Sequence, residues 1–179
     1  MSEVVDLQKA KLAMAVRRAF RNWRSQFQEA FGPDTRCAGL SDKTLVLLVH
    51  GKDKSTFYLF DLIMTLDNLG SGFEFNELNP KEKMAVMDRY LFLLDRLRYE
   101  YMKRLGWLSD YPGEEKALVD LILHFDESAP ELQDRTPMLS VDHPAYEKFC
   151  SMNTFEREEC VRKLIPEALK GLQNHSTTL

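Results

Sequence analysis

A chain of 179 residues that is 44% hydrophobic can bury the core of one domain, and nothing in its length calls for two. Its 24 Lys and Arg against 28 Asp and Glu leave a formal net charge of −4, which argues against a dedicated nucleic-acid binder, whose phosphate contacts need a concentrated positive surface. No run of about 18 apolar residues is present to span a bilayer, and the start MSEVVDLQKAKL lacks the charged and then apolar pattern of a secretory signal, so no membrane partner and a cytoplasmic location are expected. Cys37, Cys150 and Cys160 are odd in number and widely spaced, which fits reduced, mostly buried thiols better than a disulfide framework.

Residues 3–31 repeat apolar side chains at Leu12, Val16, Phe20, Trp23, Phe27 and Phe31, the three-to-four spacing of one long amphipathic helix. Gly32 and Pro33 stop it. The apolar run in SDKTLVLLVHG fits a buried strand or a helix equally well by periodicity. Ser41 as N-cap, Gly51 as terminator and the lack of a partner strand favour the helix.

Residues 55–69 begin with a capping Ser55 and are apolar around most of their circumference, so this helix is expected at the centre of the fold. GSGFEFNEL reads as a glycine-punctuated loop. Asn79, Pro80 and Glu82 then supply a cap, a first-turn proline and a capping box for a helix running to Leu105, closed by Gly106. Its broad apolar face gathers Met87, Tyr90, Leu91, Leu94, Leu97, Tyr101 and Leu105, and Arg96, Glu100 and Arg104 form a four-residue ladder of the solvated kind.

A further helix over 112–126 is followed by an acidic, proline-containing loop over 126–143. Two closing helices span 144–152 and 154–172, the second kinked or divided at Pro166. The expected architecture is all-α, a single-domain helical bundle of about six to seven helices over residues 1–172, with a disordered tail over 173–179.

Catalytic motifs fail on inspection. LVLLVHGKDKS invites comparison with a hydrolase oxyanion loop, but no nucleophile elbow and no series of strands accompany it. Read as a helix-turn-helix, the same region offers Asp61 and Asp67 where basic side chains are needed. No Glu-x-x-His pair is present for a bundle metal centre, and Asp120 with His124 is a lone pair, so no metal and no cofactor are expected.

Two constellations remain. At about 100° per residue, Arg17, Arg21 and Arg24 lie on one flank of the first helix, while Lys11 and Arg18 point away from the core. On the central helix Tyr58, Asp61, Thr65 and Asn68 make a polar seam. One use of the arginines is to pair with Asp61, Asp88 or Asp95 at a helix boundary, since semi-buried charges need partners. The other is to border a groove for an anionic ligand or an acidic partner segment.

With no catalytic group in place, the functional expectation is a non-catalytic, self-associating helical binding protein of regulatory, adaptor or chaperone-like type, with a protein partner. The competing expectation is a small-molecule or enzyme site between the Tyr58, Asp61, Thr65 seam and the arginine flank.

Overall fold

In a computed structural model, which describes residues 2–173, the chain folds as an all-α bundle whose shape is set by two long helices and one central one. The first helix is not continuous. It breaks at Phe20 into α1 (Ser2–Ala19) and α2 (Arg21–Phe27), and Gln28 ends α2 in the left-handed region at φ 56°. The break has a packing reason: Phe20 and Trp23 are fully buried, and Phe31, expected on the same helix, returns from the following irregular segment to stack on Phe20 at 5.5 Å. One straight helix presents a single stripe, whereas the bend lets Phe20, Trp23, Phe27 and Phe31 close into one aromatic cluster.

The segment SDKTLVLLVHG is helical, as α3 (Asp42–Val49). Ser41 Oγ accepts from Thr44 N–H at 3.2 Å, and Gly51 adopts φ +66° beyond the C-terminus. The central helix α4 (Asp53–Leu66) starts earlier than its sequence suggests, with Lys52 in the N-cap position. Ser55 is therefore not the cap: it is buried inside the first turn and donates to the Lys52 carbonyl at 2.7 Å. α4 packs against α1, α3, the 72–77 turn and the later helices α5 (Pro80–Arg104) and α6 (Leu118–Leu123), which is the central position its apolar circumference requires. GSGFEFNEL is not a plain loop but a 3₁₀ turn over Gly72–Glu77, closed by a reciprocal Ser71–Glu74 capping box.

α5 (Pro80–Arg104) has the capping box read from Asn79 and Glu82, with the Asn79 side chain accepting from Glu82 N–H at 2.8 Å, and Gly106 follows it at φ +83°. This helix runs through two apolar clusters. Its Val86, Leu93, Leu94 and Leu97 join the cluster that α1 to α4 and α6 (Leu118–Leu123) build. Its last turns, through Tyr99 and Met102, pack against a second cluster built on Leu108, Leu139, Phe149, Val161 and Ile165. Leu91 and Leu105, placed on the core face by periodicity, are exposed, because the covering elements change sides along the helix.

The acidic stretch after residue 125 is not a loop throughout. α7 (Phe125–Gln133) carries Pro130 internally, and beyond it Met138–Leu139 pairs antiparallel with Leu108–Asp110 in a two-stranded ribbon, β1 with β2. The chain closes with α8 (Tyr146–Cys150) and α9 (Thr154–Gln173), and α9 continues through Pro166 without division. The expected tail over 173–179 lies outside the described residues apart from Gln173, the last residue of α9.

Candidate functional site

Of the three flank arginines, only Arg21 shares a cleft with the polar seam in the structure. Among the described residues, none of Arg17, Arg21 and Arg24 lies within salt-bridge distance of a carboxylate, which corrects the expectation that they pair with Asp61, Asp88 or Asp95. The acids have other partners or none near: Asp95 pairs with Arg162 at 3.2 Å, and Asp88 is exposed on α5. Arg24 instead donates through Nη2 to the Arg17 carbonyl at 2.6 Å, bracing the bend between α1 and α2.

Asp61 is 3% exposed and fully engaged within the fold. Its Oδ2 accepts from Asn22 Nδ2 at 2.8 Å and its Oδ1 from Gly72 N–H at 2.9 Å, so one carboxylate joins α2, α4 and the 3₁₀ turn. The approach at Gly72 is close enough that a Cβ there would meet Asp61 backbone at 3.0 Å. Tyr58 is likewise structural: its carbonyl accepts from Trp23 Nε1 at 2.9 Å, its hydroxyl donates to Gln26 at 3.0 Å, and its ring lies on Phe27. Burial first, and then the negative Asp61, push the Tyr58 hydroxyl above the ordinary tyrosine pKa, so it remains a donor.

Thr65 is half-buried and lines, with Arg18, Arg21, Asp61 and Asn68, an open cleft of about 320 Å³. Arg21 is thus the flank arginine that meets the seam, and it also borders the surface that Arg17 and Arg24 form with Met14. Arg18, set aside by sequence as an outward and generic charge, borders both surfaces.

On the helical projection the outward positions are Leu7, Lys11, Met14, Arg18 and Arg21, at spacings of four, three, four and three. Leu7 and Met14 are 57% and 64% exposed, so the apolar stripe of α1 does not serve the core until Val16. Leu12, expected in the core, is exposed too. The result is an outer ridge that combines aliphatic and cationic side chains.

The polar network that sequence reasoning missed is on α5. Arg96 and Glu100, read as a solvated ladder, are only 8% and 5% exposed. Glu100 accepts from Arg104 Nε at 2.9 Å and from the buried Tyr111 hydroxyl at 2.7 Å, and Arg104 also reaches Asp42 and the Cys37 carbonyl. Arg96 Nη1 donates to the Pro112 carbonyl at 2.7 Å while its Nε has no acceptor. The available signal was Tyr99 and Met102, which lie across the helix from Leu94 and Leu97 and show that the last turns are covered on more than one side.

Among the described residues, no group of three or more His, Cys, Asp or Glu is placed to hold a metal ion, and no helix is long and apolar enough to cross a membrane. No protein-family model matches the chain, and no curated protein or solved structure matches it. The fold defines an all-α bundle with a basic, partly apolar ridge on α1 and α2.

Proposed function

We propose that the protein is a non-catalytic binding module that docks an acidic, amphipathic protein segment along the outer ridge of α1 and α2. The observation that carries this reading is the concentration of four arginines, Arg17, Arg18, Arg21 and Arg24, around one surface with no carboxylate within salt-bridge distance of any of them among the described residues. Residues 9–24 hold six Lys or Arg and no acid, although the whole chain carries −4. A partner helix with carboxylates and apolar residues at matching three-to-four spacing would pair guanidinium forks with carboxylates and cover Leu7 and Met14. The free state of all three cysteines supports a cytoplasmic setting for this module.

The test is fluorescence anisotropy with a labelled acidic amphipathic peptide of glutamate and leucine at helical spacing. Binding weakened roughly tenfold or more by Arg18→Glu/Arg21→Glu, with an unchanged melting curve, supports the ridge. Equal binding by the charge-reversed variant overturns it. Tighter binding to duplex DNA than to the peptide, falling steeply with salt, would make the ridge a phosphate-binding surface instead.

Self-association is a second reading, favoured by the exposure of Leu7 and Met14. It is the weaker one, because two copies apposed ridge to ridge bring arginines against arginines. Size-exclusion chromatography with light scattering decides it: a strict monomer at micromolar concentration removes self-association, and a dimer lost in Leu7→Glu/Met14→Glu establishes it.

A further inference from the structure

α5, α7 and α9 line a cleft of about 410 Å³ that shares no lining residue with the clefts of the arginine ridge and falls within the ~300–1,000 Å³ range of small-molecule pockets. Its apolar walls include Phe92 and Tyr99 of α5, Phe125 and Pro130 of α7, and Pro137 beyond it. Arg96 lines the same cleft, 8% exposed. Its charge has no carboxylate within salt-bridge distance among the described residues. Of the three acids in the lining, Asp95 and Glu158 both turn to Arg162 at 3.2 Å, and Asp126 is exposed on α7.

The protein holds this guanidinium in place without neutralising it. Nη1 is fixed by the Pro112 carbonyl, Nε has no acceptor, and the group lies over the rings of Phe92 and Tyr99 at 4.7 and 5.2 Å. Gly113, at φ +87°, lets the loop close on it, since a Cβ there would meet Leu132 at 2.8 Å and Arg96 Cδ at 3.6 Å. Burial lowers the Arg96 pKa from its ordinary value, in keeping with a cation held in a poor solvent. A buried charge without a counter-charge is costly, and an anion that enters with an apolar body relieves that cost while covering the aromatic walls.

We propose that this cleft binds a small monocarboxylate with a flat apolar body, the carboxylate paired with the Arg96 guanidinium and the body lying against Phe92, Phe125 and Pro130. One uncompensated buried cation calls for one negative charge. The planar guanidinium matches a carboxylate fork better than a point charge would. The aromatic walls favour a ring over a sugar or other polyol.

The test is isothermal titration with 2-naphthoate, its neutral analogue 2-naphthamide, and octanoate as a flexible carboxylate. Expected are a dissociation constant below about 1 mM for 2-naphthoate and roughly tenfold or more weaker binding of the amide and of octanoate. Arg96→Met should weaken 2-naphthoate roughly tenfold. Because Arg96 also holds the 112–113 loop, Ala129→Trp provides a second variant that fills the cleft and leaves Arg96 in place, and it should abolish binding with the melting temperature retained. Equal affinity for acid and amide, no binding of any of the three compounds up to about 5 mM, or undiminished binding by Ala129→Trp overturns the proposal. Arg18→Glu/Arg21→Glu should bind 2-naphthoate as the parent does, so failure of the ridge and failure of the cleft are read separately.

Discussion

Replacing Tyr111 by Phe removes one oxygen from the interior and isolates the contribution of the α5 network. Tyr111 is buried, and its hydroxyl donates to Glu100 Oε2 at 2.7 Å while Arg104 holds the other carboxylate oxygen at 2.9 Å. In Tyr111→Phe the ring packing survives, but Oε2 stays buried without its donor. A hydrogen bond to a charged group contributes about 1.5–3 kcal/mol. For a chain of this size each kcal/mol moves the melting temperature by about 2–4 °C, so a fall of roughly 3–12 °C is expected. Urea unfolding near neutral pH should show the midpoint drop with the slope unchanged.

The alkaline limb of the stability curve supplies a second readout. Burial above all, then the proximity of Cys37 and the hydrogen bond to Glu100, raise the Tyr111 pKa above its ordinary value of 10.0. A group whose folded pKa is raised contributes stability that is complete below the unfolded value and is lost as pH rises past it. The parent therefore loses stability above about pH 10 as unfolded Tyr111 ionises, and Tyr111→Phe should flatten part of that limb. A loss below about 0.5 kcal/mol near neutral pH, with the alkaline limb unaltered, would refute the bond to Glu100.

Asp61→Ala strands Asn22 Nδ2 and Gly72 N–H, and should cost about 2–4 kcal/mol in urea unfolding while leaving peptide binding at the arginine ridge intact. Gly72→Ala forces the 3₁₀ turn off α4 and should cost about 1–3 kcal/mol, whereas Gly32→Ala, with open space around it, serves as the near-neutral comparison. Under native conditions a thiol reagent should modify exposed Cys150 first. Cys37, buried and pushed up to about 12 by burial above all, should react only on unfolding, and a native Cys37 reacting as fast as Cys150 would contradict its place in the core.

The local rules were legible at some positions and not at others: Ser55 does not cap α4, and Pro166 does not divide α9. Asn79, Pro80 and Glu82 started α5, Ser41 capped α3, and the apolar circumference of 55–69 placed α4 at the centre. Each depends only on neighbours within a turn or on one face against water. Other features that differ from the sequence reading depend on distant partners. The bend at Phe20 exists because Phe31 comes back to it, and the β1–β2 pair needs residues some thirty positions apart to meet.

The candidate site divides along the same line. The residue types of the arginine flank and of the seam were visible in sequence, but their roles were not, because angular position on a helix does not say which neighbour arrives. Asp61 met Asn22 and Gly72 rather than an arginine, which left the ridge open. Arg96 and Glu100 sit at a spacing equally suited to a wet surface and to a covered one. Only the packing of the 111–113 loop, the 37–39 turn and α7 around α5 made one a shared buried acceptor and the other an unneutralised charge. Sequence by itself determined the helical class, the caps of α3 and α5 and the apolar central helix, since these follow from short-range hydrogen bonding and hydrophobic period. Tertiary structure decided which charges are paired, because pairing is a property of two elements and the chain specifies them one at a time.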